Sequence, residues 1–230
     1  MSIKATYLSH SGFLIESDDH SVLIDPFLSG NPLAKTKPEA VKCDFIILTH
    51  GHGDHLGDGI DIAKNNDATL IAPYELAMYC QWQGVKKVHP MHIGGSFEFP
   101  FGKVKLTLAI HGSAVLEGNT IIYTGNPCGV VLTLQGKSIY HAGDTGLFYD
   151  MKLIGEMNKL DVAFLPIGGN FTMDITDAVK AAEFLKPALA VPMHYNTFDV
   201  IKADPQQFVE KCRAKGINAR VLDIGEAMEL

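Results

Sequence analysis

Between Phe45 and Asp58 the chain reads FIILTHGHGDHLGD, a large apolar run followed by three histidines and two aspartates. His50, His52 and Asp54 stand two residues apart, and His55 follows directly. In an extended loop, side chains two apart point to one side. Gly51 and Gly53 leave the backbone free to curl. The expected product is a loop that winds around a point and directs four side chains inward. Imidazole and carboxylate are ligands for zinc, iron and manganese. Four such groups in so short a stretch exceed what one catalytic ion usually takes from a protein, so the spacing points to a two-metal centre.

A lone histidine after a strand is ordinarily a solvated polar residue, but ligand density and glycine spacing argue against that here. The run FIILTH is continuous in apolar residues, as expected of a strand buried on both faces. The same pattern recurs in SIYHAGD, VAFLPIGG and LAVPMHY, each placing a polar or glycine cluster after an apolar run. In layered α/β architectures, sites form at the carboxyl ends of strands, so these four ends are expected to converge.

The other elements follow from pattern and punctuation. KATYLSH, GFLIES, SVLIDPF and TLIAP read as strands, and residues 59–66 and YELAMYCQWQ as helices, with Gly84 past the end of the latter. The middle of the chain is rich in β signals. Beyond it, LIGEMNKL, TDAVKAAEFLK and DPQQFVEKCRAKG read as helices, the last with Asp204 as cap, Pro205 in the first turn and Gly216 after the end. NARVLDI is expected to close the chain as a strand.

Length and composition bound the partners. The 230 residues, 47% hydrophobic and 20% charged, suit one domain spanning 1–230 with a substantial core. A net charge of −7 argues against a nucleic-acid footprint. It leaves room for a small anionic substrate, because metal ions supply local positive charge. The four cysteines, Cys43, Cys80, Cys128 and Cys212, lack Cys-x-x-Cys spacing and read as reduced, buried thiols. With no signal-peptide pattern and no bilayer-length apolar run, a cytoplasmic protein without membrane association is expected. Self-association into a homo-oligomer stays open.

THGHGDH resembles the His-x-His-x-Asp-His signature of the metallo-β-lactamase superfamily, and the resemblance covers nearly the whole chain. LSHSGFLIE, VLIDPFLSGNP, YHAGDTGLF, GGNFTMD and PMHYNTF are similar to a compact branch of metal-dependent hydrolases (UPF0173-like) related to ascorbate-6-phosphate lactonases. The resemblance implies an α/β fold, a four-layer αββα sandwich of two similar halves, with a dinuclear site at the edge between the sheets. It implies that His50, His52 and His111 hold the first metal, that Asp54, His55 and His194 hold the second, and that Asp144 bridges them. Asp25, His141, His10 and Asn196 are expected beside these ligands, orienting them or meeting substrate; Tyr195, Gly168, Gly169 and Asn170 sit near the same place.

The implied reaction is hydrolysis of a small ester-like substrate by a metal-bridging hydroxide, with Asp54 accepting or relaying a proton. A lactone stands slightly ahead of a phosphodiester. Zinc leads because the ligands are mainly imidazole, followed by manganese and iron. A tRNA-processing nuclease of this fold carries an RNA-clamping arm, and no long insertion here resembles one. A glyoxalase-type thiolesterase adds a helical C-terminal region that does not fit after PMHY. A di-iron oxygen reductase requires a flavin-bearing partner. From a different class, a non-catalytic metal sensor would usually have lost a ligand.

Overall fold

The computed structural model describes residues 3–230. In chain order, the first half runs through β1 (Lys4–Ser9), β2 (Gly12–Glu16), β3 (Ser21–Ile24), β4 (Phe45–Ile47), the short α1 (Gly53–Leu56), α2 (Gly59–Asn66), β5 (Thr69–Pro73), α3 (Tyr74–Trp82) and β6 (Val88–Met91). The second half begins with β7 (Ser96–Phe99) and β8 (Gly102–Leu108). A hairpin of β9 (Ala114–Glu117) and β10 (Thr120–Tyr123) intervenes before β11 (Cys128–Leu134) and β12 (Lys137–His141). It continues with α4 (Met151–Met157), β13 (Val162–Pro166), α5 (Ile175–Leu185), β14 (Leu189–Met193), α6 (Pro205–Ala214) and β15 (Ala227–Glu229).

Two sheets result. The first has the order β15-β1-β2-β3-β4-β5-β6 and the second β14-β13-β12-β11-β8-β7. Each begins antiparallel and ends parallel: β1 to β3 are antiparallel and β3 to β6 parallel, while β7, β8, β11 and β12 are antiparallel and β12 to β14 parallel. Parallel neighbours need crossover connections, which the helices supply except between β3 and β4, where a long loop does so.

Alternation along the buried strands sorts side chains between layers. Phe45 and Ile47 of β4 join the core shared by the two sheets, whereas Ile46 and Leu48 pack with Ile62 of α2 and Leu76 and Ala77 of α3. Ile71 and its neighbours Leu70 and Ala72 divide the same way. Across the seam, Phe13 of β2 stacks on Phe164 of β13 with ring centroids 3.8 Å apart. Val179 of α5 and Phe208 of α6 cover the second sheet. The layers are therefore helix, sheet, sheet, helix, as the resemblance implied.

The C-terminal segment departs from expectation. NARVLDI does not form a strand. Ala219 alone bridges Ala190 of β14, in parallel, and the chain then leaves that sheet edge. It crosses to the first sheet, where Gly225 N–H donates to Tyr7 O at 2.7 Å and β15 pairs antiparallel with β1. A segment that must pass from one sheet to the other cannot stay in register with either. The hairpin of β9 and β10 and the short β6 also lay outside the sequence reading.

Phe164→Ala should destabilise the protein by about 3–5 kcal/mol, because it removes one partner of the inter-sheet stack and leaves a cavity. Denaturant unfolding measures this, and a loss below about 1 kcal/mol would mean that the seam does not depend on the pair.

Candidate metal centre

The strand ends do meet. β4 leads through Leu48 and Thr49 to His50, β12 through Ala142 and Gly143 to Asp144, and β14 directly to His194, while the loop after β8 carries His111. The histidine loop itself is not extended throughout. It is extended only as far as His52, and from Gly53 it winds into the single turn of α1, with His55 and Leu56 N–H both donating to His52 O. Asp54 and His55 therefore project from a helical turn. Gly51 is required for closeness rather than curl: a Cβ there would lie 2.2 Å from Thr124 Oγ1. That threonine and Ser113, which accepts the Gly51 N–H at 3.1 Å, brace the loop from the hairpin side.

The potential ligand atoms fall into three groups: His50, His52 and His111; His10, Asp54, His55 and His194; and His50, His55 and Asp144, which overlaps the other two. His52 Nδ1 lies 3.0 Å from His50 Nε2 and 3.2 Å from His111 Nε2. Asp54, His55, His194 and His10 bring one ligand atom each into a second group. Asp144 stands between: its Oδ1 is 3.1 Å from His55 Nε2, and its Oδ2 is 3.0 Å from His194 Nε2 and 3.5 Å from His111 Nε2.

Asp25 sets the direction of two rings. Its Oδ1 accepts the Thr49 N–H at 2.8 Å, and its Oδ2 accepts the Thr49 hydroxyl at 2.6 Å and the His55 Nδ1–H at 2.8 Å. Thr49 Oγ1, its proton given to Asp25, can only accept from His50 Nδ1–H at 3.0 Å. The Nδ1 atoms of His50 and His55 are thus both engaged away from the centre, and both Nε2 atoms turn toward it.

These groups fit metal ions. His55 Nε2, Asp144 Oδ1 and both ring nitrogens of His194 are buried without a hydrogen-bond partner among the described residues. Of these, His55 Nε2 and His194 Nε2 approach the Asp144 carboxylate closely, at 3.1 and 3.0 Å, as atoms that share a cation do. A tetrahedral ion with bonds of about 2.0–2.1 Å sets its ligand atoms about 3.3–3.4 Å apart, close to the spacing here. Asp25, Asp54 and Asp144 pair only with histidines; no described Lys or Arg comes within ion-pair distance of any of them.

Protonation states follow from burial and charge. Burial pushes His50, His52 and His111 below the ordinary histidine range, and lowers His10 to about 4 with help from His194. Burial would lower His55 too, but the flanking Asp144 and Asp25 outweigh it and raise it. For Asp144 burial works against ionisation, yet His194 and His55 hold the carboxyl well below the usual range. Asp54 is likewise held low, with the His10 hydrogen bond and the His55 charge outweighing burial.

Over residues 20–195 the chain matches the beta-lactamase superfamily domain. The chain belongs to the metallo-β-lactamase superfamily. It is 60% identical over 229 residues to a UPF0173 metal-dependent hydrolase of Anoxybacillus flavithermus, covering 99% of this chain and 100% of that protein. A relative of the same description from Bacillus cereus is 56% identical over 230 residues, with the same coverage. Among solved structures, Igni18, a metallo hydrolase from Ignicoccus hospitalis, superposes with a TM-score of 0.90 at 38% identity, covering 100% of this chain and 99% of that one. The UPF0173 metal-dependent hydrolases are thus its branch of the superfamily.

Within this metallo-β-lactamase frame, the flanking residues divide. Asp25 touches ligand-type side chains directly. His141 does not reach the Asp144 carboxylate: its Nε2–H donates to Ser11 O at 2.9 Å, and its Nδ1 accepts the Gly143 N–H at 3.1 Å, which fixes the turn presenting Asp144. Asn196 is exposed and spends its Oδ1 on the Ala203 N–H at 2.9 Å, within its own loop. Gly168 allows close approach, since a Cβ there would lie 2.4 Å from His194 O. The sequence reading missed Thr49, Ser113, Thr124 and Thr145; the last accepts the Ile110 N–H at 2.9 Å and so pins the His111 loop beside Asp144. Thr49 adjoins the motif, but its partner Asp25 is 24 residues away. The four cysteines are buried and outside the ligand groups; the Cys128 thiol donates to Thr49 O, beside the histidine loop.

Asp25→Ala should weaken metal binding by about 10–100-fold, the usual cost of losing a group that orients a ligand. Competition against a chromophoric chelator reads this, and wild-type affinity in the variant would remove Asp25 from that role.

Proposed function

We propose that this protein is a hydrolase that holds two divalent transition-metal ions, zinc foremost with manganese and iron behind it, and cleaves a small ester-like bond. The observation that carries this reading is the convergence of histidine groups on either side of Asp144, with no Lys or Arg partner for the site carboxylates among the described residues. His50, His52 and His111 would hold one ion, and Asp54, His55 and His194 the other, with Asp144 serving both. Two such ions, when bound, supply Lewis acidity toward a substrate oxygen and lower the pKa of water toward neutrality.

The chain's own residues supply orientation and proton handling. Asp25 and Thr49 keep the His50 and His55 rings turned inward. Among the site carboxylates, Asp54 has 25% of its side chain exposed, against 3% for Asp144 and none for Asp25. It is therefore the carboxylate that substrate and water reach. Held far below neutrality, it keeps no proton at pH 7 and relays one rather than storing it. Phe27 and Phe198, with ring centroids 6.1 Å apart and each edge-on to His10, form an apolar wall beside it.

A lactone is placed ahead of a phosphodiester. The branch resemblance supports this order.

Two measurements test the proposal. Metal analysis should give close to two ions per chain, and Asp144→Ala should disturb both sites; saturation at one ion, with Asp144→Ala binding normally, would end the dinuclear reading. Metal-loaded protein should turn over a lactone in a panel that includes a phosphodiester and a thioester. Asp54→Asn should lower kcat on the order of 10²–10⁴-fold, with a smaller change in KM. Efficient phosphodiester cleavage without lactone turnover would reverse the substrate order.

A further inference from the structure

His10 is the member of the second group that the ligand set above leaves without a role. Its side chain is fully buried on the turn between β1 and β2, and its backbone is left-handed, at φ 57. Non-glycine residues occupy that region at a cost. The ring is walled in by His194, centroid to centroid 4.0 Å, and by the edges of Phe27 and Phe198, each at 5.7 Å. His141 shows what a purely structural histidine does in this fold: both of its ring nitrogens are spent on backbone groups. Both nitrogens of His10 instead meet side chains from distant parts of the chain, Thr197 Oγ1 at 2.9 Å from Nδ1 and Asp54 Oδ2 at 3.2 Å from Nε2.

The proton count fixes the direction of these contacts. Thr197 has one hydroxyl proton and two acceptors in reach, His10 Nδ1 at 2.9 Å and Tyr195 O at 3.4 Å. The shorter contact takes it. The imidazole proton then sits on Nε2 and is donated to Asp54 Oδ2. This is the only hydrogen bond that the Asp54 carboxylate makes among the described residues. Oδ2 is also the Asp54 oxygen nearest His194 Nε2, at 3.8 Å. A carboxylate oxygen has two lone pairs, so one can take His10 while the other faces the centre.

We infer that His10, with Thr197 behind it, is a positioning residue that locks the Asp54 carboxylate so that Oδ2 faces the second metal position. It does for Asp54 what Asp25 does for His55. The inference rests on the reading that Asp54 holds a metal ion.

The test is calorimetric titration of the full-length metal-free protein with Zn²⁺ alone, comparing wild type with His10→Ala, His10→Gln and Thr197→Val. Thr197→Val nearly preserves shape, and circular dichroism checks folding in each. The first ion should bind all four proteins alike. The second should bind about 10–100-fold more weakly in His10→Ala. Thr197→Val should weaken it in the same direction, and His10→Gln, which keeps a donor, should recover part of the loss. Wild-type binding of both ions in His10→Ala and Thr197→Val would overturn the inference and reduce His10 to packing. Complete loss of the second ion in both His10 variants, with Thr197→Val unaffected, would also overturn it, because His10 would then be a ligand itself. A wild-type protein that takes up no second ion overturns this inference and the metal reading together. With two ions bound to wild type, the variants judge His10 alone.

Discussion

Two carboxylates, Asp25 and Asp144, are buried at the seam between the sheets with only histidines as ion-pair partners and no described Lys or Arg beside them. Burying an uncompensated charge costs several kcal/mol even after relaxation. The surrounding chain is arranged around that cost. Asp25 spends both oxygens on Thr49 and His55 and so aims two imidazoles. Asp144 has an oxygen and His55 and His194 have nitrogens that no described protein group satisfies. Divalent cations would satisfy these atoms and cancel the charge at once, which is why a metal reading needs no further device.

The centre also joins the two halves. His10, Asp25 and His50 to His55 come from the first sheet's elements, while His111, Asp144 and His194 come from the second's. Neither half holds a complete ligand group. The backbone repeats the junction: His194 N–H donates to His10 O at 2.8 Å, and both residues are in the left-handed region, as is Asp25. Strained backbone of this kind persists where surrounding packing over-determines it. Around His10 that packing comes from His194, Phe27 and Phe198. Ions bound at the seam would add their binding free energy to its stability by mass action.

Much of this was legible in the sequence. Four ligand-type residues in one short glycine-spaced run declare metal chemistry before any fold is known, because no core or turn needs that density. Apolar runs ending in polar clusters gave the strand ends, and caps such as Asp204 with Pro205 gave helix α6. His111 and His194 were different. Each is one histidine after a strand, and only the resemblance to a known family singled them out. Local pattern also misjudged the loop, which turns helical after His52, and the segment NARVLDI, whose alternation fits a strand that the crossing between sheets forbids.

What the sequence determined by itself was the chemistry available: imidazoles and carboxylates at strand ends, buried thiols, and an acidic chain. What only the tertiary structure decided was which atoms face one another. That Asp25 reaches His55 across 30 residues, that Thr197 reaches His10 across 187, and that Asp144 lies between both ligand groups are facts of long-range packing. Hydrogen-bond direction depends on distances of a few ångströms between segments far apart in the chain. Sequence spacing carries no information at that scale until the two sheets close on each other.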